Sequence, residues 1–217
     1  MMKTPRISNY KIILFCILVI VVFAPLIYQM IWVRSSGTDY PTHIILSTNF
    51  THMRIPTPHF LFQLLVILAS RLRYVVPGVD YFVSGFLISL FLYLFLFLAL
   101  CYCFSVLVFK APQDRPLDIC FVAFSLMIIA PINVFTLYQQ NLYHGYIVPN
   151  AYHNPTMVLL KPIALLHFFL SLRLISQKKD HLLDILILAL LTVFSALAKP
   201  NYLIVWLPVV VFFEGKR

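Results

Sequence analysis

The chain has 217 residues, 62% of them hydrophobic and only 11% charged, and a mean hydropathy of +0.94. That balance lies far outside the range of a soluble domain and excludes one of any size. Sixteen Lys+Arg against seven Asp+Glu would suit a nucleic-acid binder, but the basic residues mostly flank apolar runs, where they anchor and orient helices, so no nucleic-acid partner is read from them.

Apolar runs near the length of a bilayer crossing recur along the whole chain, which implies helices, since barrel strands would read as short alternating segments. The expected fold class is all-α: a polytopic transmembrane helix bundle of about six crossings, forming a single domain over residues 1–217. The first run, 12–33, is longer than a signal-peptide core and lacks a small-x-small cleavage pattern, so it reads as a retained signal anchor. Residues 34–80 then form a long outer loop with interfacial helices. The remaining crossings are expected at 82–109, 119–138, 156–176, 182–198 and 201–213. Cys16, Cys101, Cys103 and Cys120 all lie inside apolar runs, where thiols pack as small hydrophobes, and their spacing fits neither a disulfide nor a metal site.

Within the first loop, "FLFQLLVILA" is apolar for about ten residues, roughly 15 Å of helix and half the hydrocarbon thickness, before Arg71 and Arg73 follow. Segment 59–77 is therefore expected to lie in the interface rather than to cross. Loop charge points the same way. With 59–77 uncrossed, "MMKTPRISNYK", "KAPQDRPLD", "SQKKDH" and "EGKR" all face the cytoplasm, whereas a crossing there would invert the positive-inside rule. Both termini are thus expected in the cytoplasm, with the protein in the plasma (inner) membrane. The outer face receives 34–80, 139–155 and the "AKPNY" turn, which together hold nearly all the polar chemistry.

Four features of that face stand out. In "SGTDYPTHI", Asp39 suits an N-cap with Pro41 in the first helical turn; equally, with His43 four residues on, the pair can serve as general base, as metal ligands, or as a base held by an orienting partner. "NLYHGYIVPNAYHNPT" gathers His144, His153, Asn150 and Asn154 among tyrosines that an interfacial belt would explain, and Asn154 with Pro155 also suits a helix start. Lys161 and Lys199 are cations at or in apolar spans, costing roughly 2.5 to 3.5 kcal/mol on insertion scales, and each precedes a proline. They either snorkel outward or meet an anionic ligand. Arg71 and Arg73, at the end of the interfacial helix, suit lipid phosphates or that same ligand.

In this arrangement the chain resembles the amino-terminal portion of the GT-C-type membrane glycosyltransferases, in which a first membrane helix leads into a long outer loop with an acidic residue near its start and interfacial helices. "SGTDYPTH" matches the acid position, "PHFLFQLLVILASRL" the interfacial helix, and the spans from 82 onward the rest of the module. The resemblance implies transfer of a sugar from a polyprenyl-phosphate donor to an acceptor hydroxyl at the outer face. Asp39, with His43, would take or orient the acceptor proton. Lys161 or Lys199 would hold the leaving phosphate, with His144, His153, Asn154 and Arg71 also on the substrate side. Several branches of the family carry paired acids in this loop; here Tyr40 follows Asp39, so no metal ligand is assigned and a divalent metal is left open as cofactor. The implied partners are the lipid-linked sugar donor, membrane lipids, and a further carboxy-terminal portion or partner subunit, because such enzymes are typically longer than this chain.

Two other readings compete. A transporter would place polar or broken helices near the bilayer midplane, usually in paired repeats; none is evident, and His167, the one mid-span exception, reads as a satisfied packing residue. A non-catalytic membrane subunit would pack through aromatic spans such as "FLISLFLYLFLFLALCYCF", though no GxxxG seam marks a dimer face.

Overall fold

The computed structural model of the chain describes residues 9–32, 38–50, 60–107, 116–128, 154–176 and 182–214, and every structural statement below concerns these. Their regular structure is helical: α1 (Asn9–Trp32), α2 (Tyr40–Phe50), α3 (Leu61–Ser70) continued by a 3-10 turn (Arg71–Tyr74), α4 (Tyr81–Leu107), α5 (Pro116–Ile128), α6 (Pro155–Ser176), α7 (Leu182–Ala198) and α8 (Asn201–Glu214). The all-α expectation holds, and the expected spans fall on α1 and α4 to α8, with 129–138 of the third outside the described residues.

Three helices are long and apolar enough to cross a bilayer: Tyr10–Trp32, Tyr81–Val106 and Pro155–Ile175. Pro116–Ile128, Leu182–Ala198 and Asn201–Phe212 are apolar but shorter. The first span is only 17% buried, against 50% for the third, so α1 is peripheral and α6 central. Ile13, Leu14, Ile17 and Val21 on α1, and Leu182, Leu183, Ile204 and Val205 on α7 and α8, are more than half exposed. So much bare aliphatic surface suits lipid, not water. The chain is a membrane protein.

Ring contacts fix the helix directions. Phe15 stacks near Phe97, Phe23 near Tyr93 at 4.3 Å and Trp32 near Phe86, so α1 and α4 run antiparallel. His167 meets Thr192, and Arg173 pairs with Asp184 at 3.6 Å, so α6 and α7 are antiparallel as well. Tyr102 packs on Phe169 near the far ends of α4 and α6, and Asn154 at the head of α6 bonds Asp39 just past the end of α1, so α6 runs parallel to α4. The end of α1, the starts of α4, α6 and α8, and the end of α7 therefore share one end of the bundle, with Lys11, Arg173 and Asp184 at the other.

α4 is the hub, packing against α1, α2, α3, α5 and α6. Its Gly85 is what lets α2 lie so close: a Cβ there would sit 2.6 Å from Ile44 Cδ1 and 2.8 Å from Ile44 Cγ1, well inside van der Waals contact. At ten residues α3 is about 15 Å long, half a bilayer, and it lies against α2, α4, α6 and α7 on buried Leu61, Phe62, Val66 and Ser70. Serine hydroxyls in the apolar helices fold back on their own backbone, as Ser84 on Asp80 O, Ser89 on Gly85 O and Ser47 on His43 O, which removes the cost of burying them.

Candidate functional site

Asp39 sits at the point where the chain leaves α1 and enters α2. The Thr38 hydroxyl donates to the Met30 carbonyl in the last turn of α1, tying the connection down. α2 then begins at Tyr40, with the His43 amide donating to the Asp39 carbonyl at 3.0 Å, so Asp39 occupies the N-cap position and Pro41 the first turn.

Its carboxylate is held from far along the chain. Asn154 Nδ2 donates to Asp39 Oδ2 at 2.9 Å. Asn154 Oδ1 meanwhile accepts from the Thr156 amide at 3.0 Å and the Thr156 hydroxyl at 2.6 Å, and the Asn154 carbonyl accepts from Met157 and Val158. Asn154 is thus the N-cap of α6 with Pro155 in the first position, and the amide nitrogen that capping leaves over grips the acid. Structural cap and site partner are one residue.

One turn into α2, buried His43 receives a 2.8 Å hydrogen bond at Nδ1 from Gln63 Nε2 of α3. With the amide nitrogen as donor, His43 Nδ1 is the acceptor. Phe62 seats this pair, meeting the Tyr40 and His43 rings edge-on. Gln63 is fully buried, and its Oε1 has no hydrogen-bond partner among the described residues; Ser195 Oγ on α7, a helix that α3 touches, is in the same condition. Nothing in the sequence analysis singled out Gln63. Its one signal is that it is the only polar side chain inside "FLFQLLVILA".

Lys161 lies seven residues beyond Asn154, two turns and about 10 Å along α6, on the same side of the helix as the Asp39 contact. Pro162 beside it has no N–H to give the Val158 carbonyl, although α6 runs on through it. Lys199 closes α7, its amide bonding to the Ser195 carbonyl at 2.9 Å, and Pro200 turns the chain into α8. Counting from the His167–Thr192 contact, Lys161 is six residues up α6 and Lys199 seven up α7, so the two stand at nearly one depth, about 10 Å from that contact. The α7–α8 turn is thus recessed below the start of α6, and α3 packs against both helices. Both lysines are half-buried.

The structure places Arg71 apart from the capping contacts, exposed on the 3-10 turn after α3 beside Arg73, which donates to the Tyr74 hydroxyl at 3.2 Å and holds that phenol below its ordinary pKa. Asp80 caps α4 through Oδ1 and the Val83 amide, 2.8 Å. His144 and His153 lie outside the described residues. Among the described residues no three His, Cys, Asp or Glu side chains come together as metal ligands would.

His167 belongs to a second polar group. Its Nε2 is 3.0 Å from Thr192 Oγ1 and its Nδ1 3.0 Å from the Tyr202 hydroxyl. Because Thr192 gives its own proton to the Leu188 carbonyl, it must accept from Nε2–H, and Tyr202 must donate to Nδ1. The neutral ring is fully used, joining α6, α7 and α8.

The chain matches no protein-family model, no curated protein and no solved structure.

Proposed function

We propose that the chain is the membrane module of a GT-C-type glycosyltransferase that moves a sugar from a polyprenyl-phosphate donor to an acceptor hydroxyl at the outer face. The observation that carries this reading is the 2.9 Å bond from Asn154 to Asp39 across 115 positions of chain, which brings a carboxylate to the head of the helix bearing Lys161. Asp39 takes or orients the acceptor proton as the hydroxyl oxygen bonds to the sugar's anomeric carbon. The bond from that carbon to the phosphate oxygen breaks, and Lys161 and Lys199, at one depth below the acid, hold the charge left on the phosphate. A site at the bundle end suits a lipid-tailed donor, which would reach it from within the bilayer.

On this reading the six apolar helices all cross, and the Asp39 end faces outward. Lys11 and Arg173 then mark the cytoplasmic side together with the basic segments of the sequence, both termini are cytoplasmic, and the membrane is the plasma (inner) one. A reporter active only in the cytoplasm, fused after Lys179, tests the topology: it should be active, and silence would reverse it. The chemistry is tested by reconstituting the full chain with synthetic polyprenyl-phosphate sugars. Transfer that survives Asp39→Asn unchanged removes Asp39 as the base, and transfer indifferent to Lys161→Gln removes Lys161 from the phosphate.

A further inference from the structure

We infer that the turn joining α3 to α4 is a docking element for the anionic lipids of the surrounding bilayer. The segment runs Arg71, Leu72, Arg73, Tyr74, Val75, Val76 and then Pro77 and Gly78. Its apolar side chains are turned outward: Val75 is 80% exposed, Tyr74 69%, Val76 50% and Leu72 47%. In water such a cluster on a short turn would be a liability. Gly78, at φ 90°, occupies the left-handed region and turns the chain back towards α4.

Depth identifies the occupant. Tyr28 and Trp32 stack at 4.9 Å at the end of α1, Trp32 contacts Phe86, and Tyr81 opens α4. This is the aromatic girdle expected where hydrocarbon meets headgroups. The turn leads straight into Tyr81, so its exposed aliphatic residues are at the boundary, where they meet acyl chain ends. The two exposed guanidiniums stand beside them at headgroup level. Arg73 is held against the Tyr74 ring, 5.1 Å from guanidinium carbon to centroid, as well as by the phenol hydrogen bond, so it is pre-oriented. A forked cation next to an apolar wedge fits a phospholipid with a net negative headgroup, each arginine contributing an attraction that a zwitterionic lipid does not match. The assignment does not depend on the sugar-transfer reading.

Native mass spectrometry of the full chain in neutral detergent, titrated with phosphatidylglycerol, phosphatidylcholine or inorganic phosphate, tests it. The wild type should retain phosphatidylglycerol in preference to phosphatidylcholine. Arg71→Gln with Arg73→Gln should weaken that retention by about 30-fold, at about 1 kcal/mol per arginine. Arg71→Lys with Arg73→Lys should keep most of it, and Val75→Ser with Val76→Ser should lose part of it with both charges present. Because all four side chains are exposed, these variants should melt with the wild type. Equal retention by the wild type and the glutamine pair would overturn the inference. So would displacement of the lipid by an equal concentration of inorganic phosphate, which would mean a free-anion site.

Discussion

Two buried histidines, both on apolar helices, are treated oppositely by this fold. Around His167, donors and acceptors run in one direction, from the Tyr202 hydroxyl to Nδ1, from Nε2–H to Thr192, and from Thr192 to the Leu188 carbonyl. Around His43, Gln63 supplies Nδ1 while the Gln63 Oε1 is buried without a partner among the described residues, and a carboxylate held by Asn154 lies one turn away. A polar group completed by its own helices joins them; a buried carbonyl such as Gln63 Oε1 keeps hydrogen-bonding capacity among the described residues. The difference separates architecture from candidate chemistry without reference to any relative.

The comparison is most sharply tested at Asp39. Asp39→Asn keeps an oxygen for Asn154 to bond but removes the carboxylate, so on the proposed sugar-transfer reading activity should fall by about 100-fold or more while the thermal midpoint stays put. A next, smaller effect is expected at Gly85, which carries no chemistry. Gly85→Ala should cost about 1 to 3 kcal/mol, because the new methyl must displace Ile44; adding Ile44→Val, which removes Cδ1, should recover part of it in a double-mutant cycle. His167→Leu should destabilise by about 1 to 2 kcal/mol in reversible unfolding from mixed micelles, since it strands Tyr202 and Thr192, and transfer per folded molecule should not change. If it does, the closed group is more than a joint. Asn154→Ala removes a cap worth about 1 kcal/mol and also frees the acid, so it should lower both midpoint and transfer, whereas Asn154→Asp keeps the cap and sets a like charge against Asp39. The smallest effect should come from Gln63→Leu. The lost bond to His43 is offset by removing an orphan buried carbonyl, leaving a net cost within about 1 kcal/mol. A loss as large as that of His167→Leu would show that the His43 group is as complete as the other.

Much of this could be read along the chain, and the reasons are local. Length and apolarity of a run decide that it is a membrane helix, because no other regular structure satisfies its backbone in lipid, and Pro155 after Asn154 or Pro41 after Asp39 marks a helix start, because a missing N–H is harmless only there. The shortness of α3, ten residues, was legible for the same arithmetic reason. At Asn154, the cap and the contact to Asp39 are made together, because the two ends of one amide face different helices. Gln63 was hidden, since a lone amide in an apolar run has no local partner to reveal it.

By itself the sequence determined the solvent, the helices and their ends, through hydropathy, proline and charge, all of which act within a few residues. Only the tertiary structure decided that Asp39 meets Asn154, that Gln63 supplies His43, and that Lys161 and Lys199 stand level on neighbouring helices. Those contacts depend on how helices slide and turn against one another, which is set by packing such as Ile44 over Gly85, and helix-to-helix register in a uniformly apolar chain leaves no periodic trace to read.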